Sequence, residues 1–237
     1  MTLSIGRALG RGVARTLSVS GAALALLILA VQFVVVGATN TLVRSALPAE
    51  LRTAEIGLTL SVPDEVAGAL AVGAVLLGVV VSVVGPRALV RERSELNTLS
   101  ASLVTRQLGR AVLSALVAGV IVSVSVTLGS VLLLLPGLFL AVSFLFVNFA
   151  VAVEDARAIP ALRRSWALAR GERWRLFALV VVAFVAFGTV GAVTSVVSLV
   201  AVTAAQAVSV AVTSVLSVAY LGVLAEAFEQ LRCDERP

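Results

Sequence analysis

Lysine and histidine are missing from the 237-residue sequence, so all 18 of its basic residues are arginine. Without histidine the chain lacks the commonest general base at neutral pH and the commonest metal ligand. There is one cysteine, Cys233, in a polar tail, which excludes an intrachain disulfide and a two-cysteine metal site. Charge is scarce as well: 13% of residues are charged, where about 25% is usual for a soluble domain. What fills the chain instead is apolar, with 60% hydrophobic residues and a mean hydropathy of +1.11. These values describe an integral membrane protein, read as a single membrane domain over residues 1–237.

Charges mark the spans, because an Arg or Asp at the centre of a membrane helix costs roughly 2.5–3.5 kcal/mol and is kept near the ends. Four uncharged runs stand out, at 16–43, 66–86, 111–153 and 176–225. The first two each suit one helix of about 20 residues. The third, 43 residues long, would extend about 65 Å as a helix, roughly twice the hydrocarbon thickness, so it folds back on itself. Pro136-Gly137 is the natural turn, since proline cannot continue the preceding helix and glycine allows the reversal. The fourth run needs a second hairpin, expected to turn near Thr203 and Gln206. The expected fold is all-α and polytopic, with six transmembrane helices at about 17–38, 66–84, 111–135, 137–153, 176–200 and 202–225.

The arginines orient these spans. Sixteen of the 18 fall on the N-terminal segment, the second and fourth connections and the tail. The first connection holds only Arg44 and Arg52, beside Glu50, Glu55, Asp64 and Glu65. Both termini are therefore expected in the cytoplasm of a cell-membrane protein. The apolar run over 17–38 exceeds a signal-peptide core of about 7–15 residues, and Val36-Gly37-Ala38 is a poor cleavage site, so the run is read as a retained span. A pI near 11 raises nucleic acid as a partner, but the arginines flank apolar runs instead of forming one basic domain, and membrane orientation explains them.

Two connections are patterned as amphipathic cytoplasmic helices. In one, Leu89, Leu96, Leu99, Leu103 and Leu108 alternate with Arg91, Glu92, Arg93, Glu95 and Arg106. In the other, Pro160 suits a first turn, Leu162, Trp166 and Ala169 make an apolar stripe, and Gly171 fits just past the end. Each leads through arginines into an uncharged hairpin, over about 88–153 and 157–225. That recurrence fits either two related units or the common start of any membrane hairpin, and letter-for-letter similarity between the two is thin.

Residues 134–177 carry a resemblance. A Pro-Gly turn, a helix ending in an acid, and then a segment with Pro, Ala, Ser, Leu, Gly and Trp at fixed places are filled by Pro136, Gly137, Glu154, Pro160, Ala161, Ser165, Leu168, Gly171 and Trp174. This pattern resembles the multi-pass membrane domain attached to some glycerophosphodiester phosphodiesterases, shared by uncharacterised archaeal membrane proteins of similar length. The likeness is specific over about 40 residues and architectural elsewhere. The phosphodiesterase's catalytic barrel, with its histidines and acidic metal ligands, has no counterpart. The resemblance thus implies a membrane module without known activity.

No Walker loop, dinucleotide fingerprint or nucleophile elbow occurs. No ionisable residue lies near the middle of a span, which weakens a proton-coupled carrier, and Glu154 and Glu226 sit at span ends. Uncharged polar residues within or beside spans include Gln32, Asn148, Gln206 and Tyr220. They are expected to bond between helices or to line a cavity. Small residues at four-residue spacing, Ser123 with Thr127, Gly191 with Ser195, and Ala205, Ser209, Thr213 and Ser217, are expected at helix contacts, within the chain or against a second copy or another membrane protein. Arg163, Arg164, Arg170, Arg173 and Arg175 share a short segment with Trp166 and Trp174, a composition suited to anionic lipid headgroups or phosphate. The expected protein is non-enzymatic, without metal or cofactor, binding membrane lipids and assembling with or regulating other membrane components. A small transporter, channel or lipid-translocating protein is the alternative.

Overall fold

The computed structural model describes residues 4–48, 50, 56–90, 107–132 and 134–234. Among these residues there is no strand, and nine helices follow in order: α1 (Ile5–Thr16), α2 (Val19–Ala46), α3 (Asp64–Leu89), α4 (Leu108–Leu132), α5 (Leu134–Ser143), α6 (Val147–Val153), α7 (Ala158–Ala169), α8 (Arg173–Val197) and α9 (Val202–Asp234). Six stretches are long and apolar enough to cross a membrane: α2, α3, α4, α5 joined to α6, α8 and α9. They coincide with the six expected spans.

Burial along these helices runs opposite to that of a water-soluble bundle. Large apolar side chains point outward, as Leu26 (67% exposed), Leu113 (63%) and Phe184 (77%) do, while Ala67, Ala115, Ala118 and Ala150 are buried. Exposed apolar surface on this scale needs hydrocarbon around it, and small buried residues let helices approach closely where lipid removes the hydrophobic drive. The chain is a multi-pass membrane protein.

The helix ends follow from local chemistry. Ser18 caps α2: its hydroxyl accepts a hydrogen bond from the Gly21 N–H at 3.1 Å and donates one to the Arg15 carbonyl at 2.7 Å. It thereby divides α1, read from sequence only as a basic segment, from the first span. Pro136 sits in the first turn of α5, which begins at Leu134, and residue 133 between α4 and α5 lies outside the described residues. Proline lacks the N–H that a helix interior needs and is tolerated in a first turn, where Pro136 lies. The last hairpin turns over 198–201, not at Thr203 and Gln206, which lie in the first turns of α9. Three-residue bonds from Leu199 N–H to Val196 O and from Val200 N–H to Val197 O close α8 without proline or glycine. Of the first expected amphipathic segment, residues 91–106 lie outside the described residues. Its flanks belong elsewhere: Leu89 ends α3 and Leu108 starts α4. The second segment forms α7, with Pro160 in its first turn and Gly171 just beyond at φ +92°, a conformation that favours glycine.

Two compact units divide the chain. One comprises Met1–Ala22, Val79–Ala183 and Val218–Pro237. Its core joins Val83 of α3, Ala111, Ala115 and Ala118 of α4, Val147, Ala150 and Val151 of α6, and Ala161 of α7. Phe146, Phe149 and Phe228 form a second cluster, with ring centroids 5.5–6.2 Å apart. The other unit comprises Ala23–Gly78 and Phe184–Ser217, and polar side chains join its helices. The Asn40 amide donates to Gln206 Oε1 at 2.9 Å and to the Leu58 carbonyl at 2.8 Å. Gln206 Oε1 also accepts from the Leu58 N–H at 2.7 Å, and Thr213 donates to Gln32 at 3.2 Å.

Candidate functional site

The fourth span is interrupted between α5 and α6, where residues 144–146 form a turn inside an apolar segment. A break of this kind frees backbone groups that hydrocarbon cannot satisfy. Ser165 of α7 satisfies two of them. Its hydroxyl accepts from the Phe146 N–H at 3.1 Å and donates to the Ser143 carbonyl at 2.9 Å. Ala161, Ser165, Leu168 and Ala169 are the buried residues of α7. Leu162 and Trp166 of the expected stripe lie beside them, half-buried.

This seating fixes the basic segment. Arg164 donates to Glu154 at 3.1 Å, and Arg232 approaches the same carboxylate at 3.6 Å. Arg175 pairs with Glu172 at 2.9 Å. Arg163 and Arg170 are exposed. Neither pairs with a carboxylate among the described residues. Arg173, the first residue of α8, lies with its guanidinium carbon 4.3 Å from the centre of the Phe139 ring and 4.7 Å from that of Trp166. Its Nε is buried without a hydrogen-bond partner. The five arginines thus divide into two tied to acids, two free at the surface and one held against a pair of aromatic rings. Trp174 is 85% exposed and meets Phe177 edge-on at 6.3 Å. Beside Arg173 opens a cavity of about 650 Å³, lined by Pro136, Phe139 and Val142 of α5 and by Trp174 and Phe177 of α8.

The small residues separate by environment. Ser209, Thr213 and Ser217 of α9 are half-buried, and Thr213 carries the bond to Gln32. Ser123 and Thr127 of α4 and Gly191 and Ser195 of α8 are exposed. The Ser195 hydroxyl turns back to the Gly191 carbonyl at 2.9 Å. Asn148 is exposed and lines, with Ser82 and Ser123, a groove of about 410 Å³ that is otherwise apolar.

Two ion clusters escaped the sequence reading. Arg15 and Glu226 are 8% and 7% exposed and meet at 3.0 Å. The Arg15 guanidinium also donates to Glu229 and to the Leu89 carbonyl, and Arg11 reaches Glu226 at 3.5 Å. Glycine contact sets this register. A Cβ on Gly12 would lie 2.8 Å from the Gly222 carbonyl carbon, so α1 and α9 touch backbone to backbone and bring Arg15 and Glu226, one turn further on, together. In the second cluster Arg87 donates to the Ala152 carbonyl at 2.7 Å and pairs with Asp155 at 3.1 Å. It takes up a carbonyl at the end of α6, where Asp155 turns the chain at φ +51°. The only foreshadowing in the sequence was the spacing of Glu226 and Glu229 on one helix face. Among the described residues no three cysteine or acidic side chains are grouped to hold a metal ion.

No curated protein and no solved structure matches the chain. A family match covers residues 3–231, nearly the whole sequence and with it every residue of these clusters. The chain belongs to that family, described as the domain of unknown function DUF7847.

Proposed function

We propose that the protein is a non-enzymatic membrane module that holds anionic lipid headgroups on an arginine-rich cytoplasmic face and, through it, assembles with or regulates other membrane components. What carries this reading is the pair Arg163 and Arg170, exposed and free of carboxylate partners among the described residues, close in sequence to the exposed Trp174. Indole rings favour the headgroup level, and each basic residue near an anionic surface contributes about 1 kcal/mol. The likeness of residues 134–177 to the membrane domain attached to glycerophosphodiester phosphodiesterases agrees with a module that acts without its own chemistry. Replacing Arg163 and Arg170 together with glutamine is expected to lower affinity for phosphatidylglycerol vesicles by about 2 kcal/mol, roughly 30-fold, at low salt. Added salt should shrink the difference. Vesicle sedimentation that gives equal affinities for the two proteins would leave these arginines with an orienting role alone.

The cytoplasmic side rests on the arginine distribution, with 16 of 18 on the connections and termini of one side. Reporter fusions after Glu55 and after Pro237 should report opposite sides of the membrane. Placement on the same side would overturn the topology. The transporter reading has one observation in its favour, the exposed amide of Asn148 in its groove. That groove offers otherwise valine, leucine, alanine, glycine and two serines, too little polar lining for a hydrophilic path.

A further inference from the structure

We infer that the cavity between α5 and α8 is a site for one anionic phospholipid, with Arg173 holding the phosphate and the apolar walls holding acyl chain. The inference rests on the lipid-binding reading above and narrows it from a charged face to a single seat. A volume of about 650 Å³ falls within the range of about 300–1,000 Å³ that encloses a small-molecule ligand. The walls are Pro136, Leu138, Phe139, Val142, Trp174 and Phe177, and the charge among the lining residues is Arg173. One cation beside an apolar recess matches a molecule that is anionic at one end and hydrocarbon at the other. A free phosphate would leave the recess empty, and a zwitterionic lipid would bring its own cation to Arg173.

Arg173 is prepared for such a ligand in a way its neighbours are not. Arg164 and Arg175 already answer carboxylates. The Arg173 plane is held by Phe139 and Trp166, which fixes its direction without satisfying its N–H donors. No described residue accepts from it. A guanidinium set in place in this way presents a planar fork that takes two phosphate oxygens at little further entropy cost. The fixed turn at Gly171, φ +92°, places it at the head of α8, whose N-terminal dipole also favours the anion.

The test uses the full chain in mild detergent, titrated with phosphatidylglycerol or phosphatidylcholine and read by native mass spectrometry. The first phosphatidylglycerol should bind about tenfold more tightly than phosphatidylcholine, and Arg173→Gln should remove that preference. Leu138→Trp, which fills the cavity from the α5 wall and keeps every arginine, should weaken the first lipid whatever its headgroup. Should that variant unfold, Trp174→Ala opens the opposite wall and is expected to weaken the lipid likewise. The Arg163→Gln, Arg170→Gln protein should keep its first tight lipid while losing vesicle affinity, so failure of the face and failure of the seat give different results. An unchanged headgroup preference in Arg173→Gln would overturn the assignment. So would displacement of the lipid by excess inorganic phosphate, which would show a free-anion site.

Discussion

Replacing Arg15 with methionine is expected to destabilise the protein by about 3–5 kcal/mol, the largest effect of any single change considered. Size does not cause this, since methionine fills much of the same volume. The cause is what remains: Glu226, 7% exposed, loses its closest cation, and the Leu89 carbonyl loses its donor. Arg11, at 3.5 Å and largely in solvent, offsets only a part. A further change of Glu226 to leucine should restore most of the loss, because an apolar pair of similar volume does without the desolvation that the ions require. Glu229 is 32% exposed and can turn to water once its partner is gone. Denaturant unfolding of the detergent-solubilised protein measures all three chains. A loss in Arg15→Met of less than about 1 kcal/mol, typical of exposed ion pairs, would mean that water reaches the cluster.

The spans were legible because bilayer physics writes them into one dimension. Charge is excluded from about 20 consecutive residues, and the exclusion is visible without knowing any contact. Thus the six spans, α2, α3, α4, α5 joined to α6, α8 and α9, lie where the uncharged runs put them. The turns were legible less well. Pro136 marks the hairpin of the third uncharged run in the sequence, and it lies in the first turn of α5. The hairpin at 198–201 contains neither glycine nor proline, so nothing marked it, and the polar Thr203 and Gln206 drew the expectation a few residues too far. Gln206 is polar for another reason: it accepts from Asn40 and from the Leu58 backbone.

The site was half legible. That five arginines and two tryptophans gather within 163–175 is a matter of counting. Which of them is free is not, because the answer depends on Glu154, ten residues from Arg164, and on Phe139, in a different helix from Arg173. Arg15 and Glu226 are 211 positions apart, and in the sequence each is simply a charge at a span end. Pairing at that distance follows from the glycine contact between α1 and α9, which no periodicity of a single helix reveals.

Ser165→Ala is expected to cost about 2–4 kcal/mol, since it leaves two buried backbone groups unpaired at about 1–3 kcal/mol each. The change removes one oxygen and leaves almost no cavity. The Phe146 N–H and the Ser143 carbonyl cannot recover a partner from their own helices, because the interruption between α5 and α6 is what freed them. Ser143 supplies the contrast. It too is fully buried, but its hydroxyl donates within its own helix, to the Phe139 carbonyl at 2.7 Å, an acceptor that backbone bonding already serves. Ser143→Ala should therefore cost less than about 1 kcal/mol. Unfolding of the two variants side by side separates a bridging hydroxyl from a merely buried one. Equal small losses would mean that water enters the break and replaces Ser165. If the losses differ as expected, Ser165 is the group that makes an interrupted helix tolerable in an apolar segment. The same bond seats α7, so the serine that repairs the fourth span also sets where Trp166 meets Arg173.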